Sequence, residues 1–293
     1  MDQSISSLPF IDIQHVTYAY PALKTTKGEL KPIQALRDIS MQIHQGEHIV
    51  ILGHNGSGKS TLARHCNALL VPDSGRVLVA GLDTQDDTKR RAIRERVGII
   101  FQNPDNQIIA TVVEDDISWG LAIRGWPAPL IHERVEEAME AVGITQLRHL
   151  PPHKLSGGQR QRLAIAGILA LRPQCIIADE ATSMLDPFSR QELTKLLSQL
   201  NREHGITIVQ VTHLLEEVLY ADRIVVIEQG RVILEVTPTQ LFSDLTRLQS
   251  LKLVIPEPIL LASHLRAAGI PIAQDAVTID AIASELVAIW KTH

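Results

Sequence analysis

An α/β architecture is expected from three features of the sequence. Short apolar runs of strand length alternate with helical patterns. One of these runs leads straight into a glycine-rich turn and then a helix. The alternation is broken once by a long helical stretch, and near the end of the chain it gives way to helices alone.

The chain has 293 residues. At roughly 150 residues per domain this suggests one large domain or about two smaller ones. Lys and Arg number 28 against 33 Asp and Glu, a formal charge of −5. That excludes a generally basic nucleic-acid coat and leaves only a local basic patch. Cys66 and Cys175 are too far apart for a disulfide scaffold and fit buried thiols in a reducing compartment. The mean hydropathy is +0.07, yet no run of about 20 apolar residues could span a bilayer. The segment MDQSISSLPF lacks a basic region followed by an apolar stretch, so it is a poor signal peptide. The expectation is a cytoplasmic chain that meets a membrane only through a partner.

Ile11 to Tyr18 is rich in β-branched and aromatic residues and reads as a strand. Pro21 to Pro32, with Lys24, Lys27, Gly28, Glu29 and Lys31, reads as a polar loop, and Ile33 to Ile43 resumes an apolar pattern. After the Gln45-Gly46 turn, His48 to Leu52 has the continuous apolar character of a buried strand. The helix that follows the glycine-rich turn is expected to run through Leu70, and Pro72-Asp73-Ser74-Gly75 turns the chain into a strand over Val77–Ala80. Lys89 to Arg96 reads as a charged helix and Val97 to Phe101 as a strand. Gln102 to Leu155 has few strand signals and a helix near Ile131–Val142, so it reads as a helical insertion. The alternation then resumes: helix Gly157–Leu171, strand Cys175–Ala178, helix Pro187–Arg202, strand Thr207–Val211, helix Leu214–Ala221 and strand Arg223–Glu228. A turn at Gln229-Gly230 leads to Val232–Val236. Beyond Pro238 come helices over Ile259–Ala268 and Ala276–Trp290, either a small second domain or a decoration on the first.

GHNGSGKS at 53–60, with Thr61 following, matches G-x-x-x-x-G-K-[ST] at every position, after a strand and before a helix. Gly53, Gly56 and Gly58 permit a tight backbone path whose amides, with those of Asn55 and Ser57, face phosphate oxygens at the positive end of a helix. Lys59 would reach the β- and γ-phosphates, and Ser60 would hold Mg²⁺. The bland alternative is a Gly/Ser turn before a helix. CIIADE at 175–180 is an apolar strand ending in two acids. Asp179 at the strand end can hold Mg²⁺, directly or through water, and Glu180 can orient the attacking water, a division of labour that suits phosphoryl transfer. Alone, such a pair is often just the polar start of a loop. LSGGQ at 155–159 opens an amphipathic helix, with Ser156 as its cap and Gly157 and Gly158 exposing amides.

With these three motifs in this order, residues 11 to 236 resemble the nucleotide-binding subunits of ABC transporters. The resemblance implies a P-loop NTPase of the ABC type, α/β with an antiparallel β subdomain, a helical subdomain over roughly 102–170 and a small helical extension over 238–293. It implies ATP and Mg²⁺, and two ATPase domains facing head to tail so that the loop of one and the signature of the other enclose each ATP. It further implies that Tyr20 stacks on adenine, with Tyr18 as the neighbouring strand residue, and that Gln102 in FQNPDNQ joins the lobes and touches Mg²⁺ or water. By the same resemblance Ser156 and Gly158 hold the γ-phosphate of the partner's ATP, Asp186 in SMLD crosses the dimer interface, and His213 contacts γ-phosphate and water. Ala181 stands where the family often has proline, which alters loop stiffness but removes no chemical group.

FQNPDNQ at 101–107, TVVEDDISWGL at 111–121 and ADEATSMLDP at 178–187 narrow the resemblance to energy-coupling factor transporter ATPases. These imply a second ATPase subunit, of unlike sequence or a copy, a transmembrane coupling protein, a separate membrane substrate-binding protein and a vitamin or transition-metal cargo. Asn103 to Gln107 and Ala181 favour the first member of an unlike pair. Trp119, Leu121, Trp126 and Pro127 would line a groove for the membrane partner, with ordinary core packing as the alternative for Trp119 and Trp126. Glu114, Asp115 and Asp116 either meet that partner or simply suit a helix start. Two rivals differ in class or cargo: an ATPase acting on nucleic acid or ribosomes, which the net charge does not support, and an ATPase of another small-solute importer.

Overall fold

The computed structural model describes residues 8–24, 30–243, 248, 253–273 and 276–292. Lys27, Gly28 and Glu29 of the expected polar loop lie outside these residues. Two sheets carry the fold. Strands β1 (Ile11–Lys24), β2 (Leu30–Ile43), β4 (Ser74–Val79) and β5 (Leu82–Asp83) form an antiparallel sheet in the order β2-β1-β4-β5. The second sheet contains β3 (His48–Leu52), β6 (Val97–Ile100), β7 (Cys175–Asp179), β8 (Thr207–Thr212), β9 (Arg223–Glu228) and β10 (Arg231–Val236), in the order β10-β9-β3-β8-β7-β6. Within it β9, β3, β8, β7 and β6 run parallel, and only β10 is antiparallel.

Every residue of β3, β7 and β8 is buried, as continuous apolar strands covered on both faces should be. Ile49, Ile51, Val209, Val211 and Ile177 pack with Ile11, Ile13, Leu36 and Ile39 of the antiparallel sheet and with Leu62 and Cys66 of α1 (Lys59–Cys66). Ile176 and Ala178, on the other face of β7, pack with Ile117 and Leu121 of α3 (Val113–Ala122), Val135 and Met139 of α4 (Ala128–Val142), Leu163 of α5 (Gly157–Leu169) and Leu197 of α6 (Pro187–His204). In the C-terminal part, Leu241 and Phe242 of α7 (Pro238–Ser243), with Leu253 and Ile259, share a cluster with Val50, Leu52 and Val226. Ala262, Ile272, Ala276 and Ile282 form a separate cluster around helices Glu257–Ala267 and Ile279–Thr292. Among the described residues no helix is long and apolar enough to cross a membrane.

Three elements differ from the sequence expectation. The first hairpin is longer: Pro21 to Lys24 and Leu30 to Pro32 lie in strands, with Leu23 opposite Lys31 and Lys24 opposite Leu30. Cross-strand pairing overrides the polar composition there. Helix α1 ends at Cys66 rather than Leu70, because the Asn67 side chain donates to the Val97 carbonyl and Ala68 takes a φ of +55°. The helix expected after His213 is a 3₁₀ segment, Leu215–Tyr220, whose tighter turn sends Leu215, Glu217 and Val218 inward.

Both cysteines are free and buried, and burial pushes the Cys66 thiol up to about 12. Two buried histidines, His48 and His65, are held below the ordinary histidine value chiefly by desolvation. The unfolded chain therefore binds protons first on acidification. Their contribution to stability is full above the unfolded value of about 6.5 and is lost as pH falls through the lowered folded values. Thermal melting is expected to show a falling midpoint below about pH 6.5, with a shallower slope in His48→Asn. An unchanged slope in that variant would remove His48 from the account.

Candidate nucleotide-binding and hydrolysis site

The site lies at the carboxyl ends of parallel strands β3, β7 and β8, where open α/β sheets place their ligands. The loop 53–58 leaves β3 and opens α1. Gly56 and Gly58 have φ of +80° and +109°, which l-residues with a side chain rarely adopt. A Cβ on Gly53 would lie 2.3 Å from the Ile227 carbonyl oxygen. The loop is braced from outside as well: the Gly230 amide donates to the Ser57 carbonyl at 2.8 Å, and the Arg37 amide donates to the Gly230 carbonyl at 2.8 Å. Gly230 was not among the sequence candidates; the only hint was its place in a Gln-Gly turn.

The Lys59 side chain is 3% exposed. Its Nζ donates to the His54 carbonyl at 2.9 Å and lies 3.6 Å from Glu180 Oε1. Burial lowers its pKa, and Glu180 and then Asp179 oppose that shift. The Ser60 hydroxyl donates to Asp179 Oδ1 at 2.6 Å, across 119 residues of sequence. Burial raises the Asp179 pKa against the Ser60 hydrogen bond and the Arg64 charge. Ser60, Arg64, Phe101, Gln102, Asp179 and Glu180 line one cavity of about 550 Å³. Gln107 holds the start of the Gln102 segment by accepting from the Phe101 amide at 2.8 Å and donating to the Ile99 carbonyl at 3.1 Å.

Glu180 follows β7 with a φ of +51°, a strained conformation for a residue with a side chain, and its amide donates to Val211 O at 3.0 Å. His213 follows β8, with Nδ1 3.9 Å from Glu180 Oε1 and without a hydrogen-bond partner for that atom among the described residues. Tyr18 and Tyr20 both lie in β1. The Tyr20 hydroxyl is 3.2 Å from Thr61 Oγ1, and its ring meets Tyr18 edge-on at 5.1 Å, while Tyr18 packs edge-on against His65. Asn55 and Gly56 are exposed on the loop.

Ser156 and Gly158 are not in the cavity wall. Ser156 caps α5 in a reciprocal box with Gln159, at 3.2 Å and 2.9 Å, and its side chain is exposed. Gly158 abuts Ser189 of α6, where an added Cβ would sit 3.2 Å away. Asp186 caps α6 through the Ser189 amide at 3.0 Å, and hydrogen bonding to Ser189 lowers its pKa. A single chain thus gathers the phosphate loop, acids and His213, and leaves Ser156 exposed and Gly158 half-buried at a separate helix start.

Sequence reasoning missed Gln161, which is fully buried one turn into α5. Its Nε2 donates to the carbonyls of Ala181, at 2.6 Å, and Phe101, at 3.2 Å. It tied no motif to chemistry in the sequence, because both partners are backbone atoms on other elements. Leu121 is fully buried in the core and lines no groove. Trp126 packs against that core and under Arg134, whereas Trp119 is 50% exposed. Glu114 stands near Arg148 at 3.6 Å, so the acidic helix start has partners within the chain.

No cluster of three or more His, Cys, Asp or Glu able to hold a metal occurs among the described residues. A hydroxyl beside one carboxylate, with the Gln102 amide in the same cavity, fits a Mg²⁺ that also relies on substrate phosphates.

Residues 36–183 match the ABC transporter family model. The chain is 46% identical to the energy-coupling factor transporter ATP-binding protein EcfA1 of Symbiobacterium thermophilum over 283 residues, covering 97% of this chain and 98% of that protein. The chain belongs to the ABC transporter ATP-binding family, among the energy-coupling factor proteins. To the EcfA1 of Clostridioides difficile this energy-coupling factor chain is 44% identical over 276 residues, 94% of its length and 98% of the relative. Its fold matches cbiO1 from Clostridium perfringens, described as part of the ABC transporter complex cbiONQ, with a TM-score of 0.74 and 36% identity over 87% of this chain and 99% of that one. It also matches a dimeric ATP-binding cassette in a post-hydrolysis state bound to ADP and phosphate, with a TM-score of 0.69 and 30% identity over 78% and 98% of the two chains.

Proposed function

We propose that this chain hydrolyses MgATP at a site completed by a second ATPase chain, and that the energy drives an importer of a vitamin or transition metal. The chain is an ATP-hydrolysing subunit of an energy-coupling factor transporter. The observation that carries the composite site is the separation within one chain. Lys59, Ser60, Asp179, Glu180 and His213 converge at the strand ends, while exposed Ser156 and half-buried Gly158 lie at the start of α5, outside the cavity that Ser60, Asp179 and Glu180 line.

In this reading the loop amides over 53–61 cradle the phosphates and Lys59 neutralises their charge. Tyr20, fixed by Thr61 and Tyr18, offers its ring to adenine. Ser60, Asp179 and Gln102 would hold Mg²⁺, which when bound offsets the negative charge of the transferred phosphoryl group. Glu180 orients the attacking water and accepts its proton, and His213 holds the water and γ-phosphate from the side of β8. Because phosphoryl transfer depends on placement and charge more than on covalent chemistry, these roles suffice. Ser156 and Gly158 would meet the γ-phosphate of the partner's ATP, and Asp186 would lie at the shared interface.

The membrane partner would be a coupling protein, with a separate membrane protein capturing the cargo; the chain then lies on the cytoplasmic face of the membrane, held there peripherally. The EcfA1 relatives favour an unlike second ATPase. We assign residues 1–237 to the ATPase domain, with its helical subdomain over roughly 102–170, and residues 238–293 to an extension available for pairing, where Trp290 is 80% exposed. Purification of the chain from native membranes in detergent is expected to yield a second ATPase and two kinds of membrane subunit. Recovery on ribosomes or DNA without any membrane subunit would overturn the proposal.

A further inference from the structure

Behind the acids lies a buried polar group that the hydrolytic roles above do not use. Glu217 is 2% exposed, on the 3₁₀ segment Leu215–Tyr220. One carboxylate oxygen accepts from the Thr182 hydroxyl, and the other accepts from Gln210 Nε2 at 2.9 Å. Gln210 lies on β8 opposite Ala178 of β7, and its own oxygen is 3.3 Å from His48 Nε2.

We propose that Glu217 is a positioning residue for hydrolysis, latching the loop that carries Glu180 to the segment that carries His213. Thr182 is two residues after Glu180, and Glu217 is four after His213. The bond between them closes a ring whose remaining link is the 3.9 Å approach of His213 to Glu180. Glu180 needs such restraint, because a residue held at a φ of +51° persists only where its surroundings over-determine it. Its carbonyl is already held by the Ser183 amide at 3.1 Å and hydroxyl at 2.9 Å, and the next carbonyl, Ala181, by Gln161. The Glu180 amide reaches Val211 O on β8, before His213, and the Glu217 latch adds a side-chain tie to the segment after His213.

Stability alone does not account for a buried carboxylate here. Well-packed apolar groups of similar volume often serve a core equally well or better. What the polar triad Thr182–Glu217–Gln210 supplies is a fixed relative position, since the two Glu217 oxygens are met by donors on different elements, the loop after β7 and strand β8.

The latch rests on the reading of Glu180 and His213 as the groups that handle water, and the test separates the two. It uses the assembled transporter, with kcat and KM for ATP measured alongside thermal melting. Thr182→Val, which keeps shape and removes the hydroxyl, and Glu217→Met are each expected to lower kcat by about 10- to 100-fold, the scale of a small misplacement. KM should stay within about twofold, the pattern of a lost transition-state arrangement rather than lost binding. Thr182→Ser retains the hydroxyl. Glu217→Gln can still accept from Gln210 and donate to Thr182. Both should stay within about threefold of the parent kcat. The double change Thr182→Val with Glu217→Met should be no slower than the slower single, because Glu217→Met already removes the bond that Thr182→Val breaks. A lowered melting temperature with unchanged kcat in Thr182→Val overturns the latch, as do two effects that multiply. Glu180→Gln serves as the reference. If it abolishes turnover while Thr182→Val does not slow it, the latch alone fails. If it leaves turnover unchanged, the reading of Glu180 fails and the latch with it.

Discussion

Glu180→Gln is expected to cut ATP turnover at this chain's site by about 10²–10⁴-fold, the range that a positioned general base contributes, while nucleotide affinity is retained. The substitution preserves size and the ability to accept one hydrogen bond. It removes the charge and the basic oxygen that can take a proton from water. Nothing else in the cavity replaces that group. Asp179 is engaged by the Ser60 hydroxyl at 2.6 Å, and His213 Nδ1 stands 3.9 Å from the Glu180 carboxylate. Affinity should hold because Glu180 lies 3.6 Å from Lys59 Nζ and competes with phosphate for that ammonium. Loss of the carboxylate frees Lys59 for the ligand. The measurement is turnover by the assembled complex, with the second site silenced by the equivalent change in the partner ATPase, together with ATP binding by calorimetry. Parent-level turnover would remove Glu180 from the mechanism, whereas a loss of binding would show that the residue shapes the site instead.

Gly58→Ala is expected to be far more damaging than Gly56→Ala, and the surroundings of the two glycines explain why. Both glycines hold positive φ, so alanine at either costs about 1–2 kcal/mol of backbone strain. At Gly56 an added Cβ would meet nothing within 4 Å. At Gly58 it would fall 2.5 Å from the Ala35 carbonyl oxygen and 3.1 Å from Leu36 Cδ2. A backbone oxygen of β2 cannot swing aside, so the loop must move. Gly58 caps α1 and accepts from the Leu62 amide at 2.9 Å, so its displacement carries Lys59 and Ser60 with it. Thermal melting and ATP calorimetry should show Gly56→Ala losing stability with modest loss of affinity. Gly58→Ala should lose more of both, with affinity falling about tenfold for each 1.4 kcal/mol of misplacement. Equal behaviour of the two variants would show that the approach to Ala35 is not what holds the loop.

Both predictions concern residues that were legible from the sequence, and the reason is locality. A phosphate-binding loop depends on glycines, a lysine and a hydroxyl at fixed spacing between a strand and a helix, all within a dozen residues. Likewise, four apolar residues, Cys175 to Ala178, followed by Asp179 and Glu180 announce a strand whose tip carries acids. The cap at Ser156 follows from the same short-range chemistry, because the amide it satisfies lies three residues away.

Where the expectation departed from the structure, the deciding partner was distant in sequence. The polar stretch after Tyr20 continues as strand because β2 pairs with it. Helix α1 stops early because the Asn67 side chain finds the Val97 carbonyl. Leu121, offered as a groove residue, points into the core because α3 packs on α4 and α5. Glu217 stood as one of two adjacent glutamates with nothing to distinguish it from Glu216, until the 3₁₀ turn brought it under Thr182 and Gln210. Gln161 and Gly230 acquire their roles from backbone groups on other elements, which no side-chain motif records.

The order of motifs along the chain therefore marks out the groups proposed to meet ATP: a phosphate loop, two acids at a strand end, a histidine after the next strand and a signature at a helix start. Side-chain type and short-range backbone geometry are enough to specify each of them. Tertiary structure alone decides how they stand to one another. Parallel pairing of β3, β8 and β7 brings Ser60 within 2.6 Å of Asp179 across 119 residues, and packing leaves Ser156 exposed at the start of α5, outside the wall of their cavity. Such placements come from non-local pairing and burial, which no window of neighbouring residues contains.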